Sequence, residues 1–323
     1  MTTPCPIIAI SGGVGGAKLA RGLASVVGAS DLMVVANVGD DFEHLGLAIC
    51  PDIDSLLYGL SERNDEARGW GRRDESWNFM AALAELNSSE AWFNLGDRDL
   101  AVHLERTRRL RAGESLSTIT SDFARAFGIA ARVLPVTDDR LSTIVVTDRG
   151  EMPFQQYFVA ERCEPKVCDF RFEGAKEARV TPDVAESLRR GAGAIVVCPS
   201  NPFISVDPIL AVPEFLNLLR GSAAPIVAVS PIVGGMALKG PAAKMLIERG
   251  RECSALGIAR HYQGLIDGIV IDQVDEYLAE PIRALGIAVS VEATIMKTDS
   301  DKTNLARRTL AFSENIRQGK KAE

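Results

Sequence analysis

A chain of 323 residues with 36 Lys+Arg against 43 Asp+Glu carries a formal charge of −7, which excludes a basic nucleic-acid-binding arm. Its 46% hydrophobic and 24% charged residues match an ordinary soluble globular composition with enough apolar surface to bury a core, and exclude a disordered chain. No apolar run approaches the roughly 18 residues of a membrane span, and the start Met1-Thr2-Thr3-Pro4-Cys5-Pro6 lacks a signal peptide's charged and apolar parts, so no membrane partner and a cytoplasmic location are expected.

Ile7 to Ile10 is a short apolar run ending at Ser11 and Gly12-Gly13-Val14-Gly15-Gly16, after which Ala17 to Val27 has helical spacing. Leu32 to Ala36 then leads into Asn37-Val38-Gly39-Asp40-Asp41, completing a strand, glycine loop, helix, strand unit whose strands should pair in parallel. From 52 to 127 the pattern is mainly helical (Ile53–Leu60, Trp77–Leu86, Leu100–Leu110, Ser115–Phe127), and we expect a helical cap over the strand ends. Arg132–Val136, Thr143–Thr147 and Phe154–Val159, with a turn at Asp148-Arg149-Gly150, suggest a small β insert at 131–160. Strands at Ala194–Cys198, Ile226–Val229, Gly268–Ile271 and Ala288–Val291 alternate with helices near 183–190, 212–219, 242–249, 276–285 and 304–316, and the last five residues read as frayed. The expectation is one α/β domain over residues 1–323, a Rossmann-like doubly wound, mostly parallel sheet with the cap and the insert.

The first glycine turn could cradle a phosphate on its amides and the helix dipole, making Gly12, Gly13, Gly15, Gly16 and Lys18 candidate phosphate contacts. It is neither G-x-G-x-x-G, because Lys18 takes the third glycine position, nor a Walker loop, because Ala17 precedes Lys18 and Leu19 follows it. The alternative is a tight turn that only lets strand and helix pack. Asp40, Asp41, Asp52 and Asp54 form the second feature: Pro51 marks a helix start that Asp52 could cap, but several acids converging on a phosphate-binding edge would repel one another without a cation. Mg²⁺ held by one or two carboxylates and substrate phosphates resolves this, with Asp40 and Asp54 preferred and Asp41 beside them. Only three histidines occur and the six cysteines contain no C-x-x-C pair, so oxygen ligands and reduced structural thiols are expected. A polar stretch from Asn94 to His103 offers Asp97, Arg98, Asp99 and His103, with Asp97 or Asp99 equally readable as a helix cap and His103 as a helix-face residue. Pro199-Ser200-Asn201-Pro202 and Ser230-Pro231-Ile232-Val233-Gly234-Gly235 follow strands at the carboxyl edge where open α/β sheets bind ligands, which adds Ser200, Asn201 and Ser230.

Gly12-Gly13-Val14-Gly15-Gly16-Ala17-Lys18, Asn37-Val38-Gly39-Asp40-Asp41, Cys50-Pro51-Asp52-Ile53-Asp54, Leu95-Gly96-Asp97-Arg98-Asp99, Pro199-Ser200-Asn201-Pro202 and Ser230-Pro231-Ile232 stand in the order and spacing of the 2-phospho-L-lactate transferase family (CofD, or FbiA in bacteria), which the chain resembles from residue 7 to about 300. The resemblance implies transfer of a phospholactyl or phosphoenolpyruvyl group from a guanosine diphosphate-activated donor to the deazaflavin FO in coenzyme F420 biosynthesis, with release of GMP. It also implies Mg²⁺ and a homodimer. By that resemblance Asp54 and Asn94 contact the deazaflavin, although archaeal relatives can carry lysine at the latter position, and Asp40 and Asp41 are the metal and catalytic pair. Trp70-Gly71, Trp77 and Leu110-Arg111-Ala112-Gly113 look closer to the bacterial branch, similar to enzymes using the enolpyruvyl donor, and Trp70, Trp77 and Trp92 could cover a flat ring. Two other readings share parts of the pattern. A YvcK-type nucleotide-sugar-binding regulator has the glycine core, but the Leu-Gly-Asp-Arg-Asp and Pro-Asp-Ile-Asp stretches favour the transferase. An NAD-dependent dehydrogenase would use Asp40 on a ribose, but Lys18 and the doubled acid count against it.

Overall fold

A strand buried on both faces of a parallel sheet reads as an unbroken apolar run rather than an alternation. The runs beginning at Leu32, Ala194, Ile226 and Gly268 are buried at every position in the computed structural model, which describes residues 5–28, 31–238 and 240–322. In chain order, β1 (Ile7–Ser11) leads into α1 (Gly13–Val26) and β2 (Leu32–Ala36). A hairpin of β3 (Phe42–His44) and β4 (Leu47–Ile49) precedes α2 (Pro51–Leu60), α3 (Asn78–Glu85), α4 (Asp97–Arg111) and α5 (Leu116–Ala126). Next come β5 (Arg132–Pro135), β6 (Ser142–Thr147), β7 (Gly150–Pro153), β8 (Val167–Glu173), α6 (Pro182–Arg190), β9 (Ala194–Val197), α7 (Asp207–Leu210), α8 (Pro213–Arg220) and β10 (Ile226–Val229). A small hairpin of β11 (Ile232–Val233) and β12 (Met236–Ala237), then α9 (Ala242–Glu248), α10 (Ala255–His261), β13 (Gly268–Asp272), α11 (Ala279–Arg283), β14 (Ala288–Glu292) and α12 (Asp299–Ala322), complete the chain.

Seven strands in the order β14-β13-β10-β9-β1-β2-β5 form one sheet, every pairing parallel. From β1 the chain steps outward through β2 to β5, then crosses to β9 on the far side of β1 and steps the other way through β10, β13 and β14. Right-handed crossovers in opposite directions put α1 and α2 on one face and α6, α8, α10 and α11 on the other. Helix α12 returns to pack along α1. This is the doubly wound α/β fold expected, and its direction reverses between β1 and β9. In such sheets the crevice beyond the strands' carboxyl ends at the reversal is the ligand site, and here Gly12 leaves β1 and Cys198-Pro199-Ser200-Asn201 leaves β9.

The structure corrects several local expectations. The glycine cluster is not an extended loop: Gly12 alone links β1 to α1, because Gly13, with φ of +64°, turns the chain directly into the first helical turn. Arg132–Val136 belongs to no insert, since β5 extends the main sheet against β2. The small sheet spans 142–173 in the order β7-β6-β8, and Phe154–Val159 is not a strand but runs into a π-helical turn at Gln156–Ala160. Within 52–127, α2 packs on α1, so it is a flanking helix of the sheet rather than cap. What does stand apart is a second cluster centred on Ile49, Met80 and Leu95, formed by the β3–β4 hairpin, α3 and the start of α4. Helix α12 runs on to Ala322 where fraying was expected, while Met1–Pro4 lies outside the described residues. Among the described residues no single helix is long and apolar enough to cross a membrane.

Candidate active site

The turn after β1 is clamped to the turn after β9 by one hydroxyl. Ser200 Oγ accepts from the Gly12 amide at 3.2 Å and donates to the Gly12 carbonyl at 2.8 Å. Helix α1 can approach that turn only without side chains: a Cβ on Gly15 would lie 2.5 Å from the Pro199 carbonyl oxygen, and one on Gly16 would lie 2.2 Å from Ser11 Oγ. Gly12, Gly13, Gly15, Gly16 and Ser200 are thus brought together at the sheet's reversal point, as the sequence suggested, but Ser200 acts on the backbone. Asn201 Oδ1 caps the turn after β9 by accepting from the Phe203 amide at 3.0 Å, and Ser230 Oγ closes its own turn on the Ile232 amide and carbonyl. Lys18 points elsewhere: its amine reaches the Met296 carbonyl at 3.0 Å and lines a small cavity of about 20 Å³ with Val14, Arg21, Ser55, Trp70 and Lys302.

The acids converge beside this turn. Asn37, fully buried at the end of β2, donates to Asp52 Oδ2 at 2.9 Å, to the Ile204 carbonyl at 3.0 Å and to Asp40 Oδ1 at 3.3 Å. Its side-chain Oδ1 accepts from the Gly39 amide at 2.8 Å, which sets the bend that carries Asp40 and Asp41. Gln155, in the helical turn after β7, supports the bend by donating to the Asp40 carbonyl at 3.3 Å. Asp52, in the first turn of α2, accepts from the Gly13 amide and so already places an anion at the N-terminus of α1. Asp41 Oδ1 is buried without a partner in the structure.

Burial, and for Asp40 and Asp41 the like charges beside them, shows in the proton affinities. Burial, then the charges of Asp52 and Asp41, pushes the Asp40 carboxyl well above the usual range. Asp41 is raised by burial against the opposing pull of the Cys50 thiol and Arg106. Burial brings Asp52 to about 6, despite hydrogen bonds from Asn37, Gly13 and Ser205. An acid raised from an ordinary 3.8 to about 6 holds more protons folded than unfolded between those values, so its contribution to stability is lost as pH rises through that window. For a shift of this size the loss is on the order of 3 kcal/mol above about pH 6. In urea unfolding, Asp52→Asn should therefore gain on the wild type by about that amount between about pH 4 and about pH 7. A difference that does not vary with pH would mean that burial does not raise Asp52.

Asp54 lies one helical step further and is not open in the same way. Arg106 of α4 donates to both its oxygens, one bond measuring 3.1 Å. His103 sits between two acids, with Nδ1 3.6 Å from Asp54 and Nε2 3.4 Å from Asp99, and Tyr58 donates its hydroxyl to Asp99. Burial would raise Asp99, but the His103 and Tyr58 contacts outweigh it and hold the carboxyl below its ordinary value. Asp54, Asp99 and His103 each bring a ligand atom within 4.8 Å of one another and could hold a cation, although the guanidinium already supplies positive charge there. Arg106, Tyr58 and Asn37 were not among the residues singled out from the sequence, whereas Asp99 was weighed there with Asp97 against a capping role. A signal existed: Asp99, His103, Arg106 and Thr107 recur at one face of α4, but Arg106 stands in a run with Arg108, Arg109 and Arg111 that reads as solvated.

The Gly-Asp-Arg-Asp stretch has a structural explanation. Asp97 accepts from Ser76 Oγ at 2.7 Å and from the Asn78 and Phe79 amides, capping α3, and the Ser76 hydroxyl first among these holds it down to about 2. Glu75 in return accepts from the Arg98 and Asp99 amides and caps α4. The two helices cap each other, which accounts for the density of polar residues. Asn94 and Arg98 remain exposed at this corner. Trp92 packs against Phe42, His44 and Phe93, whereas Trp70 is 45% exposed, with Trp77 6.2 Å away and Arg68 against both rings.

Residues 7–310 match the family model described as 2-phospho-L-lactate transferase CofD. The chain is 38% identical over 319 residues to a phosphoenolpyruvate transferase of Kitasatospora aureofaciens, covering 97% of this chain and 99% of that protein. It is 36% identical over 327 residues to one of Mycobacterium avium, covering 92% and 95%. A 2-phospho-L-lactate transferase of Methanosarcina mazei is 36% identical over 300 residues, covering 93% and 98%. A crystal structure of a UPF0052 family member from Bacillus halodurans superposes with a TM-score of 0.62, covering 96% of this chain and 100% of the other at 15% identity, a likeness of fold alone.

Proposed function

Because the chain belongs to the CofD family of 2-phospho-L-lactate transferases, enzymes of coenzyme F420 biosynthesis, we propose that it moves a phosphoenolpyruvyl group from a guanosine diphosphate-activated donor to the ribityl hydroxyl of FO. The enolpyruvyl group is chosen over the phospholactyl one on the names of the bacterial relatives. The observation that carries the reading is the acid cluster at the sheet's reversal point, three of whose carboxyls are pushed up by burial, two of them by neighbouring carboxylates as well. Such a site is completed by a divalent cation bound together with phosphate oxygens, and the unpartnered Asp41 Oδ1 fits that demand.

In this reading Asp40 and Asp41 would hold Mg²⁺, which supplies charge neutralisation for the transferred phosphoryl group. The first-turn amides of α1 beyond Gly13, whose own amide Asp52 takes, face the donor's phosphates at the turn that Ser200 pins. The FO hydroxyl attacks the phosphorus that carries the three-carbon acid. A new O–P bond forms, the bond to the GMP oxygen breaks in line, and the hydroxyl proton is released. Asp54 keeps lone pairs beyond the two that Arg106 occupies, and accepts from the attacking hydroxyl to orient it. Asn94 at the exposed corner contacts the ring system.

The test is mass spectrometry of products after incubation with FO and each guanosine diphosphate donor in parallel, with Mg²⁺ or with EDTA. GMP and the enolpyruvyl product are expected with Mg²⁺ alone. Product from neither donor overturns the transfer, and undiminished product in EDTA overturns the metal.

A further inference from the structure

We infer that Arg106 is a positioning residue that fixes the Asp54 carboxylate for the acceptor, backed by the buried chain His103–Asp99–Tyr58. This rests on the reading of Asp54 as the residue that orients the attacking hydroxyl.

Arg106 is fully buried, whereas Arg108 pairs with Glu105 at the surface, Arg109 with Glu114 and Asp122, and Arg111 reaches the Gly46 carbonyl. Taking a guanidinium out of water is unfavourable unless it is fully paired, and apolar side chains of similar volume join two helices as well or better. Joining α4 to α2 therefore does not explain it. Its planar fork does something an apolar contact cannot: it takes both Asp54 oxygens at once, which removes the carboxylate's freedom to rotate. The same guanidinium reaches the Ala48 carbonyl at 3.3 Å and His103 Nδ1 at 3.3 Å, so it is itself held from two sides. His103 Nε2 faces Asp99 at 3.4 Å, and Asp99 accepts from Tyr58 of α2, so the line of contacts starts and ends on the helix that carries Asp54. Arg106 also acts electrostatically on Asp41 and Cys50, which makes it a fixed cation inside the acid cluster.

Arg106→Lys keeps the charge and loses the two-pronged grip. Its kcat with FO and the enolpyruvyl donor should fall by about 10- to 100-fold, the scale on which small misplacements act. The donor KM should stay within about twofold, because the donor phosphates are held at the other end of the cluster. Added to Asp54→Asn, the same change should cost less than about a further twofold in kcat, since a positioning residue has nothing left to position. Tyr58→Phe removes one hydroxyl at the far end of the chain and should lower kcat by about 3- to 10-fold with donor KM unchanged. Near-normal kcat in Arg106→Lys, or losses that multiply in the double variant, overturns the proposal. If Arg106→Lys does not yield folded protein, Tyr58→Phe decides alone, and wild-type kcat there overturns it. Near-normal kcat and FO affinity in Asp54→Asn is a different result: it removes the orienting role of Asp54 itself, and the proposal with it.

Discussion

Asp40→Asn is expected to lower turnover by about 10²-fold or more while leaving the protein at least as stable as the wild type. The two halves of that expectation have one cause. Asp40 is 5% exposed and faces the charges of Asp52 and Asp41, so its ionised form is unfavourable in the folded chain. Asparagine has nearly the same size, keeps an oxygen for the Asn37 contact at 3.3 Å, and relieves the repulsion. A residue kept only for the fold would lose stability on this change. One kept for a cation should gain or hold stability and lose Mg²⁺ affinity together with turnover. Thermal melts, Mg²⁺ titration and the product assay are read on the same preparation. Wild-type turnover in the variant removes Asp40 from the metal and catalytic pair.

Gly15→Val should damage both the fold and the donor site. A Cβ there would sit 2.5 Å from the Pro199 carbonyl oxygen, a backbone atom that cannot swing aside as a side chain would. Relief requires α1 to move away from the turn after β9, which breaks the reciprocal bonds between Ser200 and Gly12. Overpacking of this kind costs on the order of 1–3 kcal/mol, so a melting point lower by several degrees is expected. The displaced helix also carries the amides proposed to face the donor. Donor Kd should therefore rise by about tenfold or more, while FO, held near Asp54, changes by less than about twofold. Equal losses for both ligands would mean that the glycines serve packing alone, since the close approach is already demanded without a ligand.

The outline of the sheet was legible in the sequence because a parallel strand buried on both faces writes itself as an unbroken apolar run. Leu32–Ala36, Ala194–Val197 and Ile226–Val229 needed no partner to be recognised. The acids of the bend after β2 and of the first turn of α2 were legible as a group for a similar reason, since each follows a local signal, a strand end or a proline at a helix start. What the local pattern does not encode is which distant group a side chain meets. Arg132–Val136 has the same local period whether it joins a small insert or the edge of the main sheet, and only its pairing with β2 decided that. Asp97 was equally readable as a ligand or a cap until folding brought Ser76 and the α3 amides to it across the corner. Arg106 reads as one of several surface arginines, and it becomes the grip on Asp54 only because α4 turns that face inward. Periodicity and turn chemistry act over a few residues and are carried by the sequence itself. The partner of a buried charge is chosen over fifty residues or so of intervening chain, by the packing that makes its burial tolerable, and that choice exists only in the folded molecule.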